Sequence, residues 1–454
     1  MVVLGLGDTG LSMARWLVRR GADVQVADSR AAPPHAQSLA RELPQVKLAT
    51  GTFTVKTLSG ADLVAISPGI DRRETVIADA ARRGVPIAGD VELFAQAVAR
   101  DPRLKGAKVL AVTGSNGKST VTAMAGAMCR AAGHETVVAG NIGVPVLDAL
   151  AAIEKGGAVP SVFVLELSSF QLESTQSLDP TAAAMLNLTE DHLDRYDGMS
   201  DYAAAKARVF AGDGAQILNR EDRRSMDMAR AGRVIRTFGL GAPHGDREWG
   251  ITPGRGAGML AHGAQPLIAV DELLLAGLHN AANALAAYAL AHAAGVPDAA
   301  AAAALRSFKG LPHRMQKVAE IAGVTYFDDS KGTNVGATVA ALTGMSRRVV
   351  LIAGGDGKGQ DFSPLAPAVK ARAGAVVLIG RDADRIAGAI AGTGVTVVHA
   401  GGMEEAVLAA SRAARPGDAV LLSPACASFD MFRNYVHRAE AFTAAVLRLA
   451  EGRG

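Results

Sequence analysis

Aromatic residues are scarce in this chain: they make up 4% of its 454 residues, with two tryptophans and five tyrosines. Ring-rich packing is therefore excluded, and alanine, valine and leucine must fill the interior. Cysteine is almost absent. Cys129 falls in a helical pattern and Cys426 in a small-residue loop of a different expected domain, so no disulfide framework is available and the chain suits a reducing cytosol. Charge of one sign is also lacking. A net charge of +3 leaves no basic field of the kind that marks a nucleic-acid or membrane surface. Long hydrophobic runs are missing too: the alanine-rich stretch from Ala281 to Leu305 is broken by His292, Gly295, Pro297 and Asp298, and MVVLGLG has no basic region ahead of a signal-length apolar segment. The expectation is a cytoplasmic protein with no nucleic acid or membrane among its partners, and a monomer.

What the chain does have is length for roughly three domains of about 150 residues, each able to bury a core. The organising stretch is Lys108 to Thr120, KVLAVTGSNGKST. A β-branched apolar run passes through a tight glycine turn into a helical pattern that continues to Gly133. Strand, phosphate loop and helix follow from that order: turned-in backbone N–H groups and the helix N-terminus attract an anion, and Lys118 adds a full positive charge. Ser119, directly after the lysine, is a candidate magnesium ligand, although Val112 stands where the strict P-loop pattern has glycine.

The front third opens on a strand that runs into Gly5-Leu6-Gly7-Asp8-Thr9-Gly10 and an apolar-periodic helix, LSMARWLVRRG. The strand begins at the first residues, which fits either a chain that starts here or one with a few residues upstream. The second strand, DVQVAD, ends in Asp28, about where a dinucleotide fold places the acid for a ribose hydroxyl. A lone GxGxxG is a weak signal, and the pattern closes by Arg100, after further strands at ADLVAIS and Val85 to Gly89. A small α/β unit with a nucleotide-sized anion site is the consequence.

In the middle third, Gly140-Asn141-Ile142-Gly143 precedes an apolar strand read as VFVLELSSFQLE, with Glu166 at the end of its hydrophobic run. A carboxylate there is costly unless paired or bound to metal; an edge-strand glutamate is the plain alternative. Taken alone, His192 in its acidic loop and Lys206 on the helix YAAAKARVF read as solvated groups. Residues from Ile217 to Asp271 read as strands and hairpins, and a helix starts at LHNAAN. Gly310 and Pro312 mark a linker. The last third predicts strands at Val324 to Phe327, Val349 to Ala353, Ala375 to Ile379, Thr396 to His399 and Ala419 to Leu422. Three loops follow strands directly: DDSKGTN from Asp328, GGDGK from Gly354 and SPACAS from Ser423. In an open parallel sheet such loops gather at one crevice, here suited to a small carboxylate.

These motifs, with NLTEDHLDRY, GLPHR and SPACASFD, resemble the Mur ligases in order and spacing over nearly the whole chain, closest to the D-glutamate-adding branch. The resemblance implies three α/β domains: residues 1–100, Rossmann-like, for a UDP-sugar substrate; 101–309, P-loop ATPase-like, for ATP; and 310–454, Rossmann-like, for the amino acid. It implies ATP and Mg2+ as cofactors, UDP-N-acetylmuramoyl-L-alanine and D-glutamate as small-molecule partners, and amide formation in peptidoglycan precursor synthesis through an acyl phosphate. By matching, Lys118, Glu166, His192 and Lys206 are the catalytic set. Gly114, Ser115, Asn116, Gly117, Ser119, Thr120, Asn283, Arg314 and Asp329 join Lys118 on ATP. The metal ligands implied are Ser119, Glu166, His192 and a carbamylated Lys206. Gly7, Asp8, Thr9, Asp28, Ser29, Arg30, Ser67, Pro68, Gly69, Asn141 and Ser168 match UDP-substrate positions, so the GxGxxG serves a diphosphate and not NAD. Lys331, Thr333, Lys358, Ser428 and Tyr435 match D-glutamate positions; Tyr435 stands where the family pattern has phenylalanine. The alternatives within the class are a diaminopimelate-adding ligase, whose Asp-Asn-Pro-Arg motif is absent, and a folylpolyglutamate synthetase, which lacks a UDP-binding first domain. A non-catalytic regulator is the alternative outside it. Closure is expected about hinges near Arg100–Gly106 and Gly310–Pro312.

Overall fold

A computed structural model describes residues 1–275 and 277–452; residues 453 and 454, the end of the third expected domain, lie outside them. The chain builds three α/β sheets in sequence order, as expected. The first is five-stranded and parallel, in the spatial order Lys47–Thr50, Gln25–Asp28, Val2–Leu4, Val64–Ile66 and Ile87–Ala88. Its strands are short and apolar, and helix Asp8–Arg19 covers them with Leu11, Met13, Trp16 and Leu17.

The second sheet has nine strands. Lys108–Thr113 is third from one edge, between Val162–Glu166 and Ala182–Met185 and parallel to both. That arrangement gathers the loops after all three strands at one edge, next to the N-terminus of helix Lys118–Ala131. The stretch read as strands and hairpins supplies the far side, where Met259–His262 and Gln265–Ala269 form an antiparallel hairpin on Glu248–Thr252. Position 112 lies inside the strand, which is why the shortened phosphate loop has valine there.

The strand expected to run through VFVLELSSFQLE is corrected. It ends at Glu166, and Ser169–Glu173 is a helix whose cap, the Ser168 hydroxyl, accepts the amide hydrogen of Gln171 at 3.2 Å. The physical reason is the Ser-x-x-Gln capping pair, which outweighs the apolar run.

The third sheet runs Gln316–Ile321, Val324–Asp328, Ala419–Leu422, Val349–Gly354, Ala373–Ile379 and Thr396–His399. All neighbours are parallel except the first pair. The edge strand Gln316–Ile321 was not foreseen. Three of its six residues are polar and exposed, so its apolar signal is weak. The three loops expected to share a crevice do follow three adjacent strands.

Alanine does fill the interior. In helix Leu278–Ala293, Ala281, Ala284, Ala286, Ala287, Ala289 and Ala291 are fully buried, which lets this helix lie close to helix Lys118–Ala131. One aromatic pair spans the first and second sheets: Phe94, on helix Asp90–Arg100, meets Phe163 edge-on with ring centroids 5.1 Å apart. Both rings are fully buried. Phe163→Ala should therefore cost about 3–5 kcal/mol, as for other deeply buried aromatics, measured by denaturant unfolding; a loss below about 1 kcal/mol would contradict this packing.

Candidate active site

The phosphate loop is held open by its neighbours. Gly117 has φ +84°, and a Cβ there would lie 2.5 Å from Asn283 Oδ1, so only glycine allows this approach. The Ser115 amide donates to the Asn187 carbonyl at 2.9 Å and the Asn116 amide to Asn187 Oδ1 at 2.8 Å. Ser115 Oγ donates to the Thr189 carbonyl at 2.9 Å. Lys118 curls back and donates to the Gly114 and Ser115 carbonyls at 2.9 and 2.8 Å. Burial pushes its pKa down, against the pull of Glu166 and Asp191.

Glu166 is 1% exposed. Its Oε1 accepts from Asn141 Nδ2 at 2.7 Å, while Oε2 has no hydrogen-bond partner. A buried carboxylate oxygen left unpaired fits a cation, and magnesium takes hard oxygens from one or two protein groups plus substrate phosphates. Ser119 Oγ accepts from Arg314 Nη2 at 2.8 Å, which links helix Lys118–Ala131 to the third domain. Among the described residues, no group of three His, Cys, Asp or Glu converges as a self-sufficient metal cage. His192 adopts a left-handed backbone, φ +57°, and its ring lies edge-on to Phe170 at 4.6 Å. Burial lowers its pKa to about 4, so the imidazole is neutral at pH 7. Lys206 is 1% exposed and donates to the Gly114 carbonyl at 2.8 Å. Burial first, and Lys118 second, hold its pKa well below that of an ordinary lysine.

From the third domain, Lys358 pairs with Asp191 Oδ1 at 2.5 Å, and Asn334 donates to Asp191 Oδ2 at 3.2 Å. The Lys358 charge, more than its hydrogen bond, holds the Asp191 carboxyl down at about 2 despite its burial. Lys331 lies 3.8 Å above the ring centroid of Tyr435, a cation–π contact that either tyrosine or phenylalanine can make. Asp329 accepts from Ser423 Oγ at 2.8 Å, yet burial pushes its carboxyl up to about 7.

The two clefts meet at Asn141. A cavity of about 1300 Å3 is lined by Ser115–Lys118, Thr120, Glu166, His192, Asn283, Arg314 and Asp329, and by Lys331, Thr333, Lys358, Ser428 and Tyr435. A second, of about 890 Å3, is lined by Gly7–Thr9, Asp28–Arg30 and Ser67–Gly69. Asn141 lines both. Gly114, Ser119, Lys206 and Ser168 stand behind the walls. Asp28, expected at a ribose, is 1% exposed and accepts from the Leu6 amide at 2.6 Å and from Arg30 Nη2 at 2.6 Å. Its first task is to hold the glycine turn, and the Arg30 hydrogen bond lowers its pKa to about 2.

Sequence reasoning left Asp191 without a role, and Phe238, Leu240, Leu275 and His279 were not singled out as cavity walls. The acidic run around His192 was the only signal for Asp191. Left-handed non-glycine backbones at His192, Met315 and Lys358 line the cleft, and residue type gave no hint of them.

Comparisons agree with this geometry. The Mur ligase MurD-like N-terminal domain matches residues 1–89, the Mur ligase middle domain 112–291, and the Mur ligase glutamate ligase domain 313–426. The chain belongs to the Mur ligase family. It is 58% identical to a UDP-N-acetylmuramoylalanine--D-glutamate ligase of Thiobacillus denitrificans, over 100% of this chain and 97% of that protein. It is 54% identical to the protein of the same name from Nitrosospira multiformis, over 100% and 96%. Among solved structures, the fold is similar to MurF of Acinetobacter baumannii (TM-score 0.62, 18% identity, 98% and 90% covered) and to UDP-N-acetylmuramate-alanine ligase of Thermotoga maritima (0.60, 18%, 98% and 99%).

The raised Asp329 carboxyl predicts a pH effect. Such a group contributes stability that is fully present below its ordinary value of 3.8 and lost as pH rises through about 7. The melting temperature of the wild type should fall relative to Asp329→Asn from about pH 4 to pH 7 and level off above. A difference independent of pH would refute it.

Proposed function

We propose that this chain is a cytoplasmic ATP-dependent ligase that joins D-glutamate to UDP-N-acetylmuramoyl-L-alanine in peptidoglycan precursor synthesis. The observation that carries the reading is the junction at Asn141, where a glycine-lysine phosphate cleft opens onto a second anion cleft and faces two lysines from the third domain. The UDP-sugar lies along Gly7–Thr9, Asp28–Arg30 and Ser67–Gly69, and Asn141 and Ser168 receive its carboxyl end. ATP lies over Gly114–Thr120, with Asn283, Arg314 and Asp329 around it. Lys118 leaves the loop carbonyls for the β- and γ-phosphate oxygens.

A carboxylate is a poor acylating agent at neutral pH, so it must first gain a leaving group. Its oxygen attacks the γ-phosphorus and ADP departs with the bridging electron pair. The amine of D-glutamate, whose carboxylates are held by Lys331, Thr333, Lys358, Ser428 and the Tyr435 platform, then attacks the acyl carbon. The resulting tetrahedral carbon collapses, expelling inorganic phosphate and a proton. Lys118, once turned from the loop carbonyls, and its neighbours neutralise charge on the transferring oxygens.

Glu166, with Ser119, would hold one magnesium ion, and His192 with Lys206 a second, supplying charge neutralisation and alignment of phosphates. Lys206 suits this role as a carbamate. An amine whose proton is lost easily attacks carbon dioxide through its lone pair and sheds an N–H proton to solvent, and the product is an anionic oxygen donor where an ammonium would repel the metal.

ADP formation should require both UDP-N-acetylmuramoyl-L-alanine and D-glutamate. Turnover that persists without D-glutamate, or with another amino acid in its place, would end the assignment. Lys118→Ala should lower kcat by at least about 100-fold; full activity in that variant would remove the phosphate loop from the reaction.

For Lys206, mass spectrometry of the native protein in bicarbonate should show one added carbon dioxide. Lys206→Ala should lose activity and regain part of it with a short-chain carboxylate. An unmodified lysine in a fully active preparation would contradict the carbamate.

A further inference from the structure

The last helix, Tyr435–Glu451, begins where two loops of the third sheet meet. Its cap, the Asn434 side chain, accepts from the His437 amide at 2.9 Å and fixes the first turn. Tyr435 and Arg438, three residues apart, share one face of that turn. Tyr435 supports Lys331. Arg438 is fully buried, and its guanidinium reaches two separate loops. Nε donates to Ser330 Oγ at 3.0 Å and Nη2 to the Ser330 carbonyl at 2.8 Å. On the other side, Nη1 donates to the carbonyls of Cys426 at 3.0 Å and Ala427 at 3.4 Å. Ser330 Oγ in turn donates to the Tyr435 carbonyl at 2.8 Å.

All of these acceptors are neutral oxygens. Asp430, Asp328 and Asp329 attract the Arg438 charge from further off, but the fork gives these hydrogen bonds to the two loops. Burial lowers its pKa to about 10, which still leaves it charged at neutral pH. Ser330 precedes Lys331, and Cys426–Ala427 precede Ser428. The rigid planar fork therefore sets the spacing between the lysine and the serine assigned to the incoming amino acid.

We propose that Arg438 is a positioning residue of the amino-acid site, clamping the Ser330 and Cys426–Ala427 loops so that Lys331 and Ser428 grip D-glutamate together. This rests on the D-glutamate reading given above. Lysine at 438 would keep the charge, but one ammonium cannot span both loops.

The test uses the full chain and measures kcat and the KM of each substrate for Arg438→Lys, Arg438→Met and Ser330→Ala, with melting temperatures. The KM for D-glutamate should rise about tenfold or more in both Arg438 variants, as for other small misplacements of binding groups, and less in Ser330→Ala. The KM for the UDP-substrate should stay within about twofold, because its loops belong to other sheets, and the KM for ATP should rise less than that for D-glutamate, because Asp329 beside Ser330 is its one contact on the clamped loops. Arg438→Lys should fold, at a melting temperature lowered by the lost hydrogen bonds, without recovering the D-glutamate KM. An unchanged D-glutamate KM, or an equal rise in all three values, would overturn the clamp. Should Arg438→Met not fold, Arg438→Lys and Ser330→Ala decide. Failure of the underlying reading looks different: the wild type itself would then turn over without D-glutamate, and the same KM comparison is made on the amino acid it uses.

Discussion

Positive charge crowded into one cleft is the constraint on which the rest of the structure depends. Lys118, Arg314, Lys331 and Lys358 line one cavity, and Lys206 lies buried behind the glycine loop. Burial is the largest cause lowering the pKa of Lys118, Lys206 and Lys331, and neighbouring cations add to it: Lys118 acts on Lys206, and Arg314 on Lys331. Lys331 is thereby brought to about 8, within reach of neutral pH. Such a cleft is costly unless oxygens answer it, and the protein supplies them from its own loops. The Gly114 carbonyl serves both Lys118 and Lys206, and Asp191 serves Lys358. Phosphates and carboxylates offer the same donors a better partner, with more charge per oxygen.

The contacts that answer these charges also join the domains. Arg314 reaches Ser119 from the third domain, and Lys358 and Asn334 reach Asp191. On the other side Arg195 donates to the Ile70 carbonyl at 3.0 Å and to Glu173 at 2.7 Å, tying the first domain to the second. A ligand that takes Ser119 or Lys358 from its present partner removes a domain contact and replaces it with one through itself. Substrate binding and domain geometry are then one equilibrium, shifted by the difference in affinity between arrangements.

Much of this was legible because it follows from local chemistry. The alternation of strands and helices, the glycine-lysine turn, the three loops of the last third and the alanine-filled core all come from short patterns whose physics acts within a few residues. The illegible parts share a different cause. Ser168 turned an expected strand into a capped helix because a side-chain hydrogen bond competed with an apolar run. Gln316–Ile321 is a strand because Val324–Asp328 offers it an edge, which its own polar residues do not announce. Asp191 and Arg438 work through partners more than a hundred residues or a whole loop away, and charge alone cannot tell such residues from solvated ones. Tyr435 departs from the family's phenylalanine, and its ring lies under Lys331, a contact that the sequence does not announce.

The first domain shows how one motif can serve different ligands. A Cβ at Gly10 would come within 1.8 Å of the Gly5 carbonyl, so the glycines are fixed by the close packing of strand against helix, before any ligand is considered. Asp28 is spent on the same turn through the Leu6 amide. What distinguishes this unit from a dinucleotide domain is where its chain goes next. The sheet stops at five strands, and helix Asp90–Arg100 leaves it to pack Phe94 against Phe163 of the second sheet. Glu92 on that helix accepts from the Gln176 and Ser177 amides at 2.6 and 2.9 Å, completing the joint. The next domain thus packs against this unit directly, and the cavity beside the glycine turn opens toward the Asn141 junction.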